Sequence, residues 1–163
     1  MSLFLLNKLT IKTITMITES LKSLYDRDLN KLKIEIEAYQ NEENLWKIDK
    51  NISNSAGNLC LHLIGNLNHF IGGQLGNTSY IRHRELEFSL KDVPRTELIE
   101  KIEATIKMID IALNQLTEED LKKEYPLIVF EDTMTTDYFL IHLISHLDYH
   151  LGQINYHRRL LDI

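Results

Sequence analysis

Apolar residues recur every three or four positions along four stretches of the chain, and each stretch is bounded by residues that start or stop helices. The first begins at Thr18, a suitable cap followed by the acidic Glu19, and carries Leu21, Leu24, Tyr25, Leu29, Leu32, Ile34, Ile36 and Tyr39 in an amphipathic pattern as far as about Gln40. A polar link over 41–54 follows, with Trp46 as its expected anchor. The second stretch is capped by Asn54 or Ser55, runs to about Ile71 and stops at Gly72-Gly73. Gly57, Gly65 and Gly72 recur along it, a low-propensity choice that would let another helix approach closely.

Residues 74–92 read as an irregular crossing that contains Arg82, Arg84, Glu85 and Glu87. Pro94 opens a third helical stretch patterned by Leu98, Ile102, Ile106, Ile109 and Leu113, ending near Gln115. The segment Thr117-Glu-Glu-Asp-Leu121 has the signature of a short capped turn. The run 127–130 is too brief to assign, and Thr135 or Thr136 begins a fourth long helix that ends near Leu161. Four helices joined by connections of moderate length favour an all-α protein whose simplest packing is a four-helix bundle.

Composition narrows the class. A chain of 163 residues with 44% hydrophobic and 26% charged residues is expected to make one domain, 1–163, with an ordinary core. Only two prolines and six glycines are present, which again favours helices over many short strands. The net charge of −6 leaves no basic face for a phosphate backbone, so nucleic acid is not an expected partner. One cysteine, Cys60, rules out an internal disulfide and suits a reducing cytoplasm; it reads as a buried structural thiol. The opening run has Leu3 to Leu6 but is broken by Lys8 and Lys12, too short for a membrane span, and residues 1–15 read as an N-terminal extension packed on the bundle or on a partner.

Candidate chemistry lies in the fourth helix. His142, His146, His150 and His157 are spaced by four, four and seven residues and therefore emerge from one helical face. Histidines four apart stand one turn above each other, and both imidazoles can reach one cation at about 2.0 to 2.1 Å. His146 and His150 form the central pair. A third ligand must come from elsewhere, and His62 in the apolar run of the second stretch is the candidate, with His69, one heptad later, as its rival. His142 and His157 lie too far along the helix to share the ion readily, so they are expected to line the pocket or support a ligand. Gln153 points to the same side and could hold a water, a substrate carbonyl or simply fill space. Three neutral imidazoles leave coordination positions open, and ligand type alone does not separate Zn, Ni, Fe or Mn.

The element HLDYHLGQI over 146–154, with an upstream HL at 62–63 in a helix after a polar loop carrying Trp46, resembles the DinB/YfiT-like superfamily of metal-binding four-helix proteins. NSAGNLCLHLIGNLNHFIGG followed by IRHRELEF is similar to an uncharacterised subgroup of it. The resemblance implies His62, His146 and His150 as ligands, an up-down-down-up bundle with a long crossing between the second and third helices, and a homodimer. It also implies a small-molecule substrate and an enzyme that transfers a low-molecular-weight thiol to an electrophile with a divalent metal ion. Metal-dependent hydrolysis and a non-catalytic, metal-stabilised stress or interaction protein are the alternatives. Arg82 and Arg84 would bind a substrate anion or pair with Glu85 and Glu87.

Overall fold

The computed structural model describes the backbone from Ser2 to Ile163 and side chains from Ile17 onward. Six α-helices account for the ordered framework: α1 (Ser2–Glu37), α2 (Ala56–Leu67), α3 (Arg84–Ser89), α4 (Arg95–Asn114), α5 (Glu118–Lys122) and α6 (Thr136–Leu161). Among the described residues, the one β-type pairing is an isolated antiparallel bridge between Glu124 and Thr135, which closes the loop before α6. No helix among them is long and apolar enough to cross a membrane.

The long helices pack through the faces their apolar periodicity marks out. α1 lies against α4 and α6, and α2 lies against the same two. Polar ties fix the directions. Tyr25 donates to the carbonyl of Leu140, and Arg158 pairs with Glu35, so α1 and α6 run the same way. Lys22 reaches Asn114 while Lys33 reaches Glu103, which sets α4 antiparallel to α1. Phe70 meets Phe139 near one end of α6, and His62 meets His146 and His150 farther along, so α2 and α6 are antiparallel. Leu29, Leu32, Ile36, Leu63, Leu67, Leu98, Ile102, Leu147 and Ile154 are sealed between these helices. Their burial is the main term that holds the fold, at roughly 1.5 to 3 kcal/mol for each large side chain.

The link over 41–54 is pinned at both ends. Asn41 caps a 3-10 turn, Glu42–Trp46, by accepting from the backbone of Glu43. Asp162 at the end of α6 accepts from the backbones of Gln40 and Asn41 and from the Asn44 side chain. Trp46 is buried as expected, its ring lying where a Cβ on Gly57 would be 2.6 Å away. Gly57 thus admits an aromatic ring and Gly65 a carboxylate; at Gly72 the neighbour is Met108 on another helix.

Several boundaries differ from the pattern-based expectation. Thr18 lies inside α1, because a cap is needed only where the preceding turn is not helical, and here it is. The expectation that 1–15 packs as an extension concerns side chains outside the described residues. Pro94 occupies the capping position, and helical backbone begins at Arg95. The α-helical part of α2 ends at Leu67, after which Asn68–Gly73 forms a π-helical turn. The crossing is not wholly irregular, since it contains α3, six residues long. Thr117 and Asp120 form the anticipated capping box at the start of α5.

Candidate metal centre

α2 carries His62 into the interior because it is capped in register and buried on all sides. Ser55 accepts from the backbone of Asn58, and every residue from Ala56 to Leu67 is buried. Asn58 donates its side-chain amide to the carbonyls of Glu87 (3.0 Å) and Leu90 (2.9 Å), so α3 is tied to the first turn of α2. That tie brings Glu87 over His62. The carboxylate lies against the α2 backbone at Gly65, where an added Cβ would clash with it, its Cδ at 2.8 Å.

Behind His62 stands a buried ion pair. Arg82 donates Nε to Glu87 Oε1 (2.6 Å) and Nη2 to Oε2 (2.9 Å), and His62 Nδ1 lies 2.9 Å from Oε2. Burial alone would raise the Glu87 pKa, but the hydrogen bonds from Arg82 and His62 outweigh it and hold the carboxyl below its usual value. An ionised carboxylate accepts only, so the His62 proton sits on Nδ1 and its Nε2 lone pair is free. Arg84 does not join this pair, and its guanidinium lies over the Phe88 ring at 5.6 Å.

On α6 the four-residue spacing puts His146 and His150 edge to face, ring centroids 4.5 Å apart. Nδ1 of His150 is 2.7 Å from Gln153 Oε1; with that oxygen accepting, the lone pair of His150 is also on Nε2. The free nitrogens converge: His62 Nε2 is 3.3 Å from His146 Nε2, and His150 Nε2 is 3.1 Å from it. One ligand atom from each of the three residues lies within 4.8 Å of the others.

These separations fit coordination. Nitrogens about 2.0 to 2.1 Å from a common ion stand about 2.9 Å apart at an octahedral right angle and about 3.3 Å apart at a tetrahedral one. Without a cation, one proton on His146 Nε2 can serve only one of its two neighbours well, and the remaining lone pairs repel. A shared proton cannot resolve that conflict: burial, and then the nearby His150, His62, His142 and Arg82, push the His146 pKa down to about 4. His150 is likewise lowered, by burial first. Burial thus favours the neutral form of His146 and His150, and with His62 Nε2 facing them the three rings make a donor arrangement suited to a divalent ion.

The other residues singled out in the sequence are placed differently. Gln153 orients His150. His69 stays out of the cluster; it sits in the π turn, its ring against Phe70 at 4.7 Å, with its pKa lowered by burial and then by Arg82. His142 stacks between Phe139 and His146, with Phe130 at its edge, and so lines the approach along α6. His157 has a structural role: Tyr39 Oη donates to its Nδ1 (2.7 Å) while its Nε2 donates to the Lys47 carbonyl (2.9 Å). Periodicity gave no signal for Glu87, twenty-five residues from His62 and on another element. Asn66, by contrast, is buried one turn from His62 on the stripe that the helical pattern marks.

Beside His150 opens a cavity of about 540 Å³, lined by Asn51, Ile52, Asn54, Leu59, Tyr149, Gln153 and Tyr156 among others, with no Asp, Glu, Lys or Arg in its walls. Its walls offer hydroxyl and amide groups beside apolar surface.

A helical framework without a strand among the described residues, with three histidines that could hold a metal ion, defines the class of the molecule. The chain belongs to the family described as proteins of unknown function (DUF1572), whose model matches residues 8–162. It is similar to the crystal structure of a conserved protein from Enterococcus faecalis, with 16% identity over 88% of this chain and 96% of that one and a TM-score of 0.71. At that identity the likeness concerns the fold. Among curated proteins none matches the sequence.

Proposed function

We propose that His62, His146 and His150 hold one divalent ion, Zn, Ni, Fe or Mn, and that the protein is a metal-dependent enzyme. In this reading it transfers a low-molecular-weight thiol to a small electrophilic substrate. The observation that carries it is the convergence of three imidazole nitrogens, two of the rings being held from behind by Glu87 and Gln153. A bound divalent ion supplies the lowering of a thiol's or water's pKa toward neutrality.

The surrounding residues favour a thiol over hydrolysis. Hydrolysis needs a group to move the proton, yet both Glu87 oxygens are committed to Arg82 and His62. Asp148 faces α1, 3.9 Å from Arg27, and Glu131 and Asp132 are exposed in the loop before α6. A thiol ionises at about 8.5 in water and can release its proton to solvent without a carboxylate. Its sulfur then bonds to the electrophilic atom, and the leaving group departs with its electron pair. The nucleophile must come from solution, because Cys60 is buried and burial pushes its thiol up to about 12. Leu59 and Ile52 exclude water from one side of the cavity, and Tyr149 and Tyr156 flank it to hold the body of an uncharged substrate.

The same reading extends to architecture. The directions of the four long helices support an up-down-down-up, DinB/YfiT-like four-helix bundle, with 74–92 as the crossing. The exposed Tyr138 and Ile141 of α6, away from the cavity, suit the homodimer expected of that class.

Zinc or nickel added to metal-stripped protein should bind at one ion per chain by elemental analysis, and His146→Ala with His150→Ala should abolish it. The loaded protein, given a panel of small thiols and electrophiles, should consume both in a metal-dependent way. Stoichiometric metal in the double variant removes the site; binding without turnover on any thiol removes the transferase reading and leaves a metal-stabilised structural protein.

A further inference from the structure

Two of the three histidines have an acceptor behind them, and the third has none. His146 Nδ1 is buried without a hydrogen-bond partner. On the facing helix α2, Asn66 is 7% exposed, and its Oδ1 is also buried and unpartnered. Asn66 follows His62 by four residues and so projects from the same side of the helix. Its level is fixed between two observed contacts of the antiparallel pair: His62 with His146 and His150, and Phe70 with Phe139. That interval runs along α6 from Phe139 to the His146 turn, so Asn66 lies within about a turn of His146.

A neutral imidazole carries one proton. If it sits on Nε2, His146 donates to a neighbouring histidine, and both its Nδ1 and the Asn66 Oδ1 are left as buried acceptors without a donor. If the Nε2 lone pair goes to a cation, the proton must sit on Nδ1, and the orphaned oxygen of Asn66 becomes the complement it lacks. We propose that Asn66 is a positioning residue for His146, its Oδ1 receiving the Nδ1 proton and so fixing the tautomer and ring orientation that present Nε2 to the metal. This rests on the three-histidine metal reading. It completes a pattern in which each ligand is held from behind by a different residue: Glu87, Gln153 and Asn66.

Zinc is the probe. Its affinity for metal-stripped wild type, Asn66→Leu and Asn66→Asp is measured by competition with a chelator, and the ring protons of the loaded proteins are followed by nitrogen-edited NMR. Asn66→Leu should bind zinc 10- to 100-fold more weakly, the usual effect of losing such a partner, and the His146 Nδ1 proton should be lost to exchange while those of His62 and His150 persist. Asn66→Asp, which keeps an acceptor, should restore affinity and move that proton downfield. Wild-type affinity and a protected His146 proton in Asn66→Leu would overturn the assignment while leaving the metal site standing. Wild type that binds no zinc would overturn both. Should Asn66→Leu fail to fold, Asn66→Asp decides, and an unshifted His146 proton there counts against the inference.

Discussion

Gly65→Ala gives a prediction whose sign depends on the site. In a helix interior, alanine is favoured over glycine by about 0.5 to 1 kcal/mol, so propensity alone makes the variant more stable. The added methyl, however, would fall on the Glu87 carboxylate, with Cδ at 2.8 Å, and force it off α2. Glu87 and Arg82 side chains are only 7% and 12% exposed, so the figure for a buried pair applies without solvent discount. Deleting one partner of such a pair costs about 3 to 5 kcal/mol, which bounds the cost of displacing it from above. The net expectation is a loss of stability, up to about 4 kcal/mol, in denaturant unfolding of the metal-free protein. His62 would also lose its acceptor, lowering zinc affinity by about 10- to 100-fold. A variant equal to or more stable than wild type, with unchanged zinc affinity, would refute the claim that Glu87 is clamped between Arg82, His62 and the α2 backbone.

Gln153→Leu should weaken zinc binding by about tenfold in a chelator competition while leaving the melting temperature of the metal-free protein nearly unmoved, because Gln153 is exposed and its partner is the His150 ring. His157→Ala should do the reverse: about 2 to 4 kcal/mol is lost with the bonds to Tyr39 and Lys47, measured by urea unfolding, and stoichiometric zinc is retained. The metal-free protein should lose stability as pH falls. His146 has its folded pKa depressed to about 4 from 6.5, so below 6.5 the unfolded chain binds a proton that the native state refuses. The contribution is full above 6.5 and is lost as pH falls through 4; urea unfolding at pH 7 and pH 5 should show it, and a slope unchanged in His146→Ala would contradict the assignment.

The parts of the site legible in the sequence were those written in helical periodicity. His146 and His150 are a local pattern, and one turn of α6 decides their geometry. His62 was visible as a histidine in an apolar stripe, but nothing local separated it from His69; the register of α2 against α6 decides between them, bringing position 62 to His146 and His150 and leaving His69, about 10 Å further along, beside Phe70. Glu87 was one of several alternating charges in a segment without periodicity. Its role depends on Asn58 binding the α3 carbonyls and on the missing side chain at Gly65, both long-range facts. Thr18 shows the opposite failure: a good local cap, overridden because α1 continues upstream.

The clamp formed by Arg82 and Glu87 makes the 74–92 segment part of what fixes the ring of His62 in the candidate site. Grafting three histidines at matching positions onto an unrelated helical scaffold would reproduce the donor atoms and still give a looser site, since the ring at 62 would be free to swivel. Shortening this segment should be far less tolerated than trimming an ordinary surface excursion of equal length.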